Sequence, residues 1–402
     1  PSRFGRDNQF APFWSVGLAW NVNREKFWTG TGSMKIRASV GSVGSSKFSA
    51  DQALTRFVYN SDGEYNGIYG AELLQYGNTA LKWQNTLKYN LGLDMTVWKN
   101  IITLNFDAYL ERTENLLMDV DVAPSTGFTS YKENMGSLDN KGIEARLRLN
   151  LLRGDDKGWN WNVTLSASHE RDKIRKLSNA MKAMNAEAMK IENNTDSTSV
   201  FTMYEVGRSQ KALMLVKSLG IDPATGNELY LKRDGSTTFD YDPNDRVEVG
   251  NTTPKIQGFI NTNLSWNHIE LYMAFNYEYG AKIYNSTLAQ KVEGASPYQN
   301  ADKRVLYDRW KKPGDIAMFR RIDDQGPVYQ SSRLVQKNNY IRMSSLSLTY
   351  DIPREKLART FIERCKFTFS MTDVFRISSI KQERGTSYPF AWTYSFGVNL
   401  TF

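Results

Sequence analysis

A period of two runs through this chain, and it leaves few folds open. In LKYNLGLDMTVW, Leu87, Tyr89, Leu91, Leu93, Met95 and Val97 share one face of an extended backbone. Lys88, Asn90, Gly92, Asp94 and Thr96 share the other. Successive side chains of a strand point to opposite sides, so the segment reads as a strand with one apolar and one polar face. The turn Lys99-Asn100 follows, and Ile102, Leu104, Phe106, Ala108 and Leu110 repeat the plan, making a hairpin. The pattern returns in FWSVGLAWNV, SMKIRASVG, IEARLRLNLL, WNWNVTLSASHE, IQGFINTNLSW, IELYMAFNYEY, YIRMSSLSLTYDI, CKFTFSMTDVF and the terminal YSFGVNLTF. About twelve strands are predicted.

The connections fall into two alternating classes. Those at Asn21–Ser33, Lys99–Asn100, Arg153–Gly158, Asn267–His268 and Pro353–Ile362 are short. Those spanning 45–82, 115–141, 172–255, 280–338 and 375–389 are long. Following the chain up and down puts every long connection at one end of the sheet. Within 172–255, Leu177, Met181, Met184, Ala188 and Ile191 recur at helical spacing, which predicts a short helix packed locally.

Alternation alone fits a sandwich, a soluble barrel or a membrane barrel. The residues on each face decide between them. The polar face is rich in Asn, Ser, Thr and Gly, whereas the solvent face of a soluble sandwich carries many Lys and Glu. The apolar face places Trp14, Trp20, Tyr89, Trp98, Trp159, Trp161, Trp266 and Tyr279 near strand ends, where a barrel meets two headgroup layers. Aromatic residues make up 13% of the 402, including 10 Trp and 21 Tyr. The mean hydropathy of −0.53 looks soluble, but a barrel with a polar interior averages its two faces away. A tilted strand of about 9–11 residues crosses a bilayer, and an open edge in hydrocarbon is prohibitive. The expected fold is therefore all-β: a transmembrane antiparallel barrel with short periplasmic turns and long extracellular loops.

Other classes are weakened by composition. One cysteine, Cys365, excludes an internal disulfide framework, and two histidines, His169 and His268, offer no metal site or catalytic triad. No cofactor and no enzymatic activity are expected. The charge of +8 fits a solvated mixed surface, and no nucleic-acid partner is expected. GSVGSSK lacks the spacing of a phosphate loop, and Asp222, Asn227 and Glu228 in IDPATGNELY read as a turn rather than a cation loop. Pro1–Gly5 has no signal-peptide succession, so the chain is expected to start after processing or truncation.

The residues resemble a family. SRFGRDNQFAPFWSVGLAWNV, MKIRASVGSVGSSKF, YGNTALKWQNTLKYNLGLDM, TENLLMDVDVAPSTGF and NMGSLDNKGIEARLRLNL are similar, in order, to segments of SusC/RagA-type TonB-dependent outer-membrane transporters of Bacteroidetes. GIDPATGNELYLKRDG, VGNTTPKIQGFINTNLSW, YIRMSSLSLTYDIP and the closing YSFGVNLTF continue the match. Thr79 stands where the family usually has Pro, and Gln84 where it has Glu. The resemblance implies a 22-stranded barrel with a plugged lumen, of which residues 1–402 would be the C-terminal part. No segment resembles the plug domain or the TonB box. It also implies TonB-dependent import of a glycan or peptide across the outer membrane. The implied partners are a SusD-like surface lipoprotein, TonB-ExbB-ExbD acting through the missing N-terminal part, the rest of the barrel and plug, and outer-membrane lipid. A passive porin, an outer-membrane barrel enzyme and a soluble carbohydrate-binding or adhesion module remain as alternatives.

Three sets of site residues are expected. Trp83, Trp310 and Trp392 offer aromatic faces to a sugar ring, or pack within loops and girdles. Glu144, Arg146 and Arg148 face the lumen, toward plug or substrate, or pair with one another. Tyr394, Phe396, Val398, Leu400 and Phe402 form the lipid face of the closing strand and resemble the C-terminal assembly signal of outer-membrane barrels.

Overall fold

The structure is a computed structural model that describes residues 12–45, 55–65, 68–75, 77–78, 81–121, 130–134, 136–154, 158–179, 181–186, 203–296, 298, 300–324, 326–381 and 392–402. In chain order, β1 (Trp14–Asn21) and β2 (Gly32–Ser45) begin a wall. β3 (Arg56–Tyr65) and β4 (Ile68–Gln75) pair in the connection that follows. β5 (Gln84–Val97) and β6 (Ile102–Glu114) return to the wall, and β7 (Leu117–Asp121) and β8 (Ser130–Asn134) make a second outlying hairpin. β9 (Gly136–Arg153) and β10 (Trp159–Leu177) are wall strands. β11 (Ala212–Ile221), β12 (Glu228–Leu231), β13 (Thr237–Thr238) and β14 (Arg246–Asn251) form a separate four-stranded sheet in the order β13-β12-β11-β14. β15 (Ile256–Trp266), β16 (Ile269–Tyr284), β17 (Val335–Asp351), β18 (Arg364–Ser378) and β19 (Thr393–Thr401) complete the wall.

The wall is one 11-stranded sheet in which each strand pairs antiparallel with the next wall strand along the chain. Every segment named from the alternation is in it. The expected count of about twelve exceeds it by one, because the remaining strands pair only within long connections. Eleven antiparallel strands leave the first and last running the same way. Among the described residues, β1 pairs only with β2 and β19 only with β18.

Short and long connections alternate as expected. At the short end, Trp98, Lys99 and Asn100 turn with positive φ, and the Arg153 guanidinium donates to the freed carbonyls of Lys99 and Asn100. At the other end the strands run further than the sequence suggests. β9 has 18 residues, β10 has 19 and β17 has 17, well beyond the ~10 needed to cross a bilayer. The excess projects past the membrane band and shortens the true loops.

Two aromatic belts bound that band. Trp20, Trp98, Trp159, Trp161 and Trp266 lie at the short-turn end, where Trp159 and Trp266 are cross-strand partners stacked at 5.3 Å. Trp14, Tyr89 and Tyr279 lie toward the long-connection end. From Ile269 to Tyr279 the strand advances roughly 34 Å, which at a tilt of about 40° gives a height near 25 Å, the apolar height of an outer-membrane barrel. Large apolar side chains between the belts are exposed, including Leu18, Leu91 and Phe396, as a lipid-facing surface requires.

The described residues of the connections 178–255 and 285–334 fold together into a lobe above the wall. Leu288, Ala289, Val292, Phe319, Val328 and Leu334 form its core, and Val216 of β11 bridges to Ser331 of the second connection. Of the expected helical pattern, Asn179 and 181–186 are helical, Leu177 closes β10 instead, and Ala188 and Ile191 lie outside the described residues. There Met181 is buried against Met118, Leu177, Met184 and Tyr204.

Candidate functional site

The polar face of the wall is organised by bonds across strands. Arg37 on β2 donates to Asp94 at 2.7 Å and reaches across β5 to Asp107 on β6 at 3.1 Å. Gly92 lies between them, and a Cβ there would sit 2.6 Å from the guanidinium and 2.7 Å from the Asp107 carboxylate. The missing side chain is what lets one arginine join three strands. Asn90 and Asn105 donate to the same two carboxylates. Lys88–Glu111 (2.6 Å) is a directly opposed cross-strand pair on the same face, and Arg112–Asp139 (3.2 Å) is another on the opposite face, near the long-connection end.

Beside this network a cleft of about 580 Å³ opens over β9, β10, β15 and β16. Glu144, Arg146, Phe259, Glu278 and Tyr340 contribute to its lining. The ladder between β10 and β15 is interrupted there. The Phe259 amide donates to the Ser166 hydroxyl at 3.0 Å, and the Tyr277 hydroxyl donates to the Ser166 carbonyl at 2.7 Å. Side chains thus replace backbone partners where the sheet parts. Tyr340 donates to Glu278 at 2.7 Å, and the Arg376 guanidinium lies 4.0 Å from the Tyr340 ring centroid. The Arg146 guanidinium stands over Phe259 at 5.9 Å. Charge, hydroxyl and aromatic faces are all offered to the lumen within one cleft.

Glu144, Arg146 and Arg148 occupy the polar face, opposite Ser168, Ser166 and Thr164 of β10. All three are exposed. Mutual pairing fails: none of them makes an ion pair among the described residues. Neighbours on one face of one strand are about 7 Å apart, whereas directly opposed residues approach to about 5 Å. Ion pairs here therefore form across strands, as Lys88–Glu111 does.

Residues 2–198 match the family model for the TonB dependent receptor-like β-barrel. The chain is 25% identical to TonB-dependent receptor P3 of Formosa agariphila over all of its own length and 43% of that protein. It is 29% identical to TonB-dependent receptor SusC of Bacteroides thetaiotaomicron over 44% of this chain and 18% of SusC. The RagAB peptide importer in its "open-open" state superposes with a TM-score of 0.78 at 22% identity, covering 100% of this chain and 44% of that one. The wall is a barrel wall of the TonB-dependent-receptor type, similar to those of SusC and RagAB. The chain spans less than half the length of the curated relatives it matches. A barrel of this type lies in the outer membrane, with its wall crossing as strands.

The three singled-out tryptophans lie on separate segments. Trp83 precedes β5, half-buried against Leu81 and edge-on to Phe13 at 5.7 Å, a packing role. Trp392 stands exposed at the head of β19. Trp310, in the lobe, donates its Nε1–H to the Pro223 carbonyl at 2.9 Å. Its ring presses on the 222–226 turn, where Gly226 has φ +75° and any Cβ would meet the indole at 2.6 Å. In that turn Asp222 accepts from the Thr225 amide (3.1 Å) and hydroxyl (2.7 Å), which confirms IDPATGNELY as a hairpin turn. Glu228, six residues on, points instead into the lobe.

The lobe contains what sequence reasoning missed: a buried ionic cluster. Arg333 contacts Glu228 at 2.9 Å and Glu293 at 2.6 Å, and Arg320 contacts Glu293 at 2.7 Å and Asp324 at 2.9 Å. Burial pushes the Glu228 carboxyl up, but the adjacent Arg333 charge and its hydrogen bond outweigh it and hold the group below its ordinary range. Arg309 adds a buried guanidinium donating to the Val305, Val292 and Arg320 carbonyls. Glu228 and Arg333 stand 105 residues apart in the chain, so no local pattern announces them.

On β19 the expected apolar row is present. Phe396 and Val398 oppose Phe369 and Phe367 of β18, and Phe402 stacks on Phe361 at 5.6 Å. Tyr394, Phe396, Val398, Leu400 and Phe402 are all exposed.

Proposed function

We propose that the full receptor, of which this chain supplies the C-terminal part of the barrel, imports a large polar nutrient across the outer membrane, driven by TonB. A glycan or a peptide is the proposed cargo, and a SusD-like surface lipoprotein and TonB-ExbB-ExbD are the proposed partners. The observation that carries this reading is the amphipathic wall itself. Its polar, cleft-bearing face needs a filled or aqueous lumen, and its apolar face needs lipid. The two parallel-running edges favour further strands, contributed by the rest of the barrel, over direct pairing of β1 with β19. Relatives named as receptors, and RagAB, named as a peptide transporter, support import over catalysis. In the same reading β19 is the closing strand, its apolar row facing lipid, with Phe402 as the residue sensed in assembly.

The test is uptake in the native host. A strain lacking the receptor should lose growth on one defined glycan or peptide source, and loss of TonB should remove the same growth. Growth that needs the receptor but not TonB would identify a passive pore instead.

A further inference from the structure

The outward face of the wall is apolar until it reaches the long-connection belt, and on three adjacent strands it then turns cationic. On β10 that face reads Trp161, Val163, Leu165 and Ala167, followed by His169, Arg171 and Lys173. On β9 beside it, Ala145 and Ile143 give way to Lys141. On β6, Ala108 and Leu110 give way to Arg112. From Trp161 to Arg171 the strand advances roughly 34 Å, the same stretch as from Ile269 to Tyr279. The change of character therefore falls at the outer headgroup layer.

The ladder holds these groups together. Lys141 is directly opposite Leu110 on one side and Arg171 on the other, and Asp139 is opposite Arg112 and Lys173. The Asp139 carboxylate is taken by two guanidinia, Arg112 at 3.2 Å and Arg175 at 3.6 Å. Lys141, Arg171 and Lys173 are exposed and make no ion pair among the described residues. Like charges directly opposite on one face are destabilising, so Lys141 and Arg171 carry a cost that an anion between them would relieve. The cations are not a general rim. On the arc of β16, β17 and β18, the outward residues toward the same end are Tyr279, Ile341 and Ile377.

We propose that this patch binds a phosphorylated glycolipid of the outer leaflet, with its phosphates at Lys141, Arg171 and Lys173 and its acyl chains on Leu110, Ile143 and Leu165 below. Guanidinium and ammonium groups make charge-assisted bonds to phosphate, and basic groups clustered at a membrane surface select anionic headgroups. Free phosphate would use the cations alone. The apolar residues that continue beneath them on the same strands favour a ligand with both a phosphate and a hydrocarbon part.

The test uses the full receptor, delipidated in detergent and titrated with lipid A, with dephosphorylated lipid A and with inorganic phosphate, bound lipid being counted by native mass spectrometry. Lipid A should bind, and removing its phosphates should weaken binding by about tenfold or more. Lys141→Gln combined with Arg171→Gln should weaken it equally, while Lys88→Met on the lumen face should leave it unchanged. Heat-modifiable migration reports folding of each variant, and the comparison of the two lipids on wild-type receptor stands without any variant. Equal binding of both lipids, or full binding by the folded double variant, would overturn the proposal. Displacement of lipid A by millimolar inorganic phosphate would also overturn it, because the ligand would then be the anion alone. In cells, a photo-crosslinking residue at Arg171 should attach phosphorylated glycolipid. A crosslink to protein in its place, whether the receptor's own chain or another, would show that protein covers the patch and would sink the lipid site.

Discussion

The wall and the lobe are cut from one chain and obey opposite rules. In the wall, apolar side chains face outward and the Arg37–Asp94–Asp107 network stays about one-third exposed on the inner face. In the lobe, apolar side chains turn inward and Arg333, Glu228 and Glu293 are almost fully buried. The difference follows from the solvent each surface meets. Lipid takes the apolar face of the wall at no cost, so the wall needs little buried core and its charges keep company with water. The lobe has water all round it and must build its own core, and it closes that core with charges that are tolerable only when paired.

That contrast can be broken at its strongest point first. Arg333→Met would leave Glu228 and Glu293 buried without their shared cation, a loss of about 3–5 kcal/mol. Limited proteolysis should then cut within 203–334 while heat-modifiable migration of the wall persists. Next, Met273→Arg places a charge on the lipid face near mid-height and should cost about 2–4 kcal/mol in refolding into bilayers. Asn261→Arg, on the lumen face of the neighbouring strand, should cost less than about 1 kcal/mol. Acid should separate the regions without mutation. The folded Glu228 carboxyl lies below its unfolded value, so its contribution is present above the unfolded pKa of about 4.3 and is lost as pH falls through the folded one. Hydrogen exchange should show the lobe loosening below about pH 4 before the wall strands do. The smallest effect belongs to Lys88→Met, which removes the exposed pair with Glu111 and should change stability by less than about 1 kcal/mol.

The wall was legible because its signal is local. Leu87 to Val97 announces a strand regardless of the rest of the chain, and the lengths between such strands place the loops at one end. The Met stripe after Leu177 was legible for the same reason. The lobe was not, since Glu228 and Arg333 gain meaning only once β15 and β16 have carried the chain down and back. Trp310 was singled out for its ring, but not the Gly226 turn that holds it. Glu144, Arg146 and Arg148 share one face by simple alternation, opposite Ser168, Ser166 and Thr164, but alternation does not say which groups pair, because neighbours along a strand are farther apart than partners across it.

The lobe has one more consequence. It is stitched from segments on either side of the β15–β16 hairpin, so it is completed only after both have reached the outer side. Once Arg333 has met Glu228, the two ends of that hairpin are fastened together above the bilayer. The lobe is then a rivet head: too wide to pass back between strands, it holds the hairpin at its depth from outside, as the tight Asn267-His268 turn marks its depth from below.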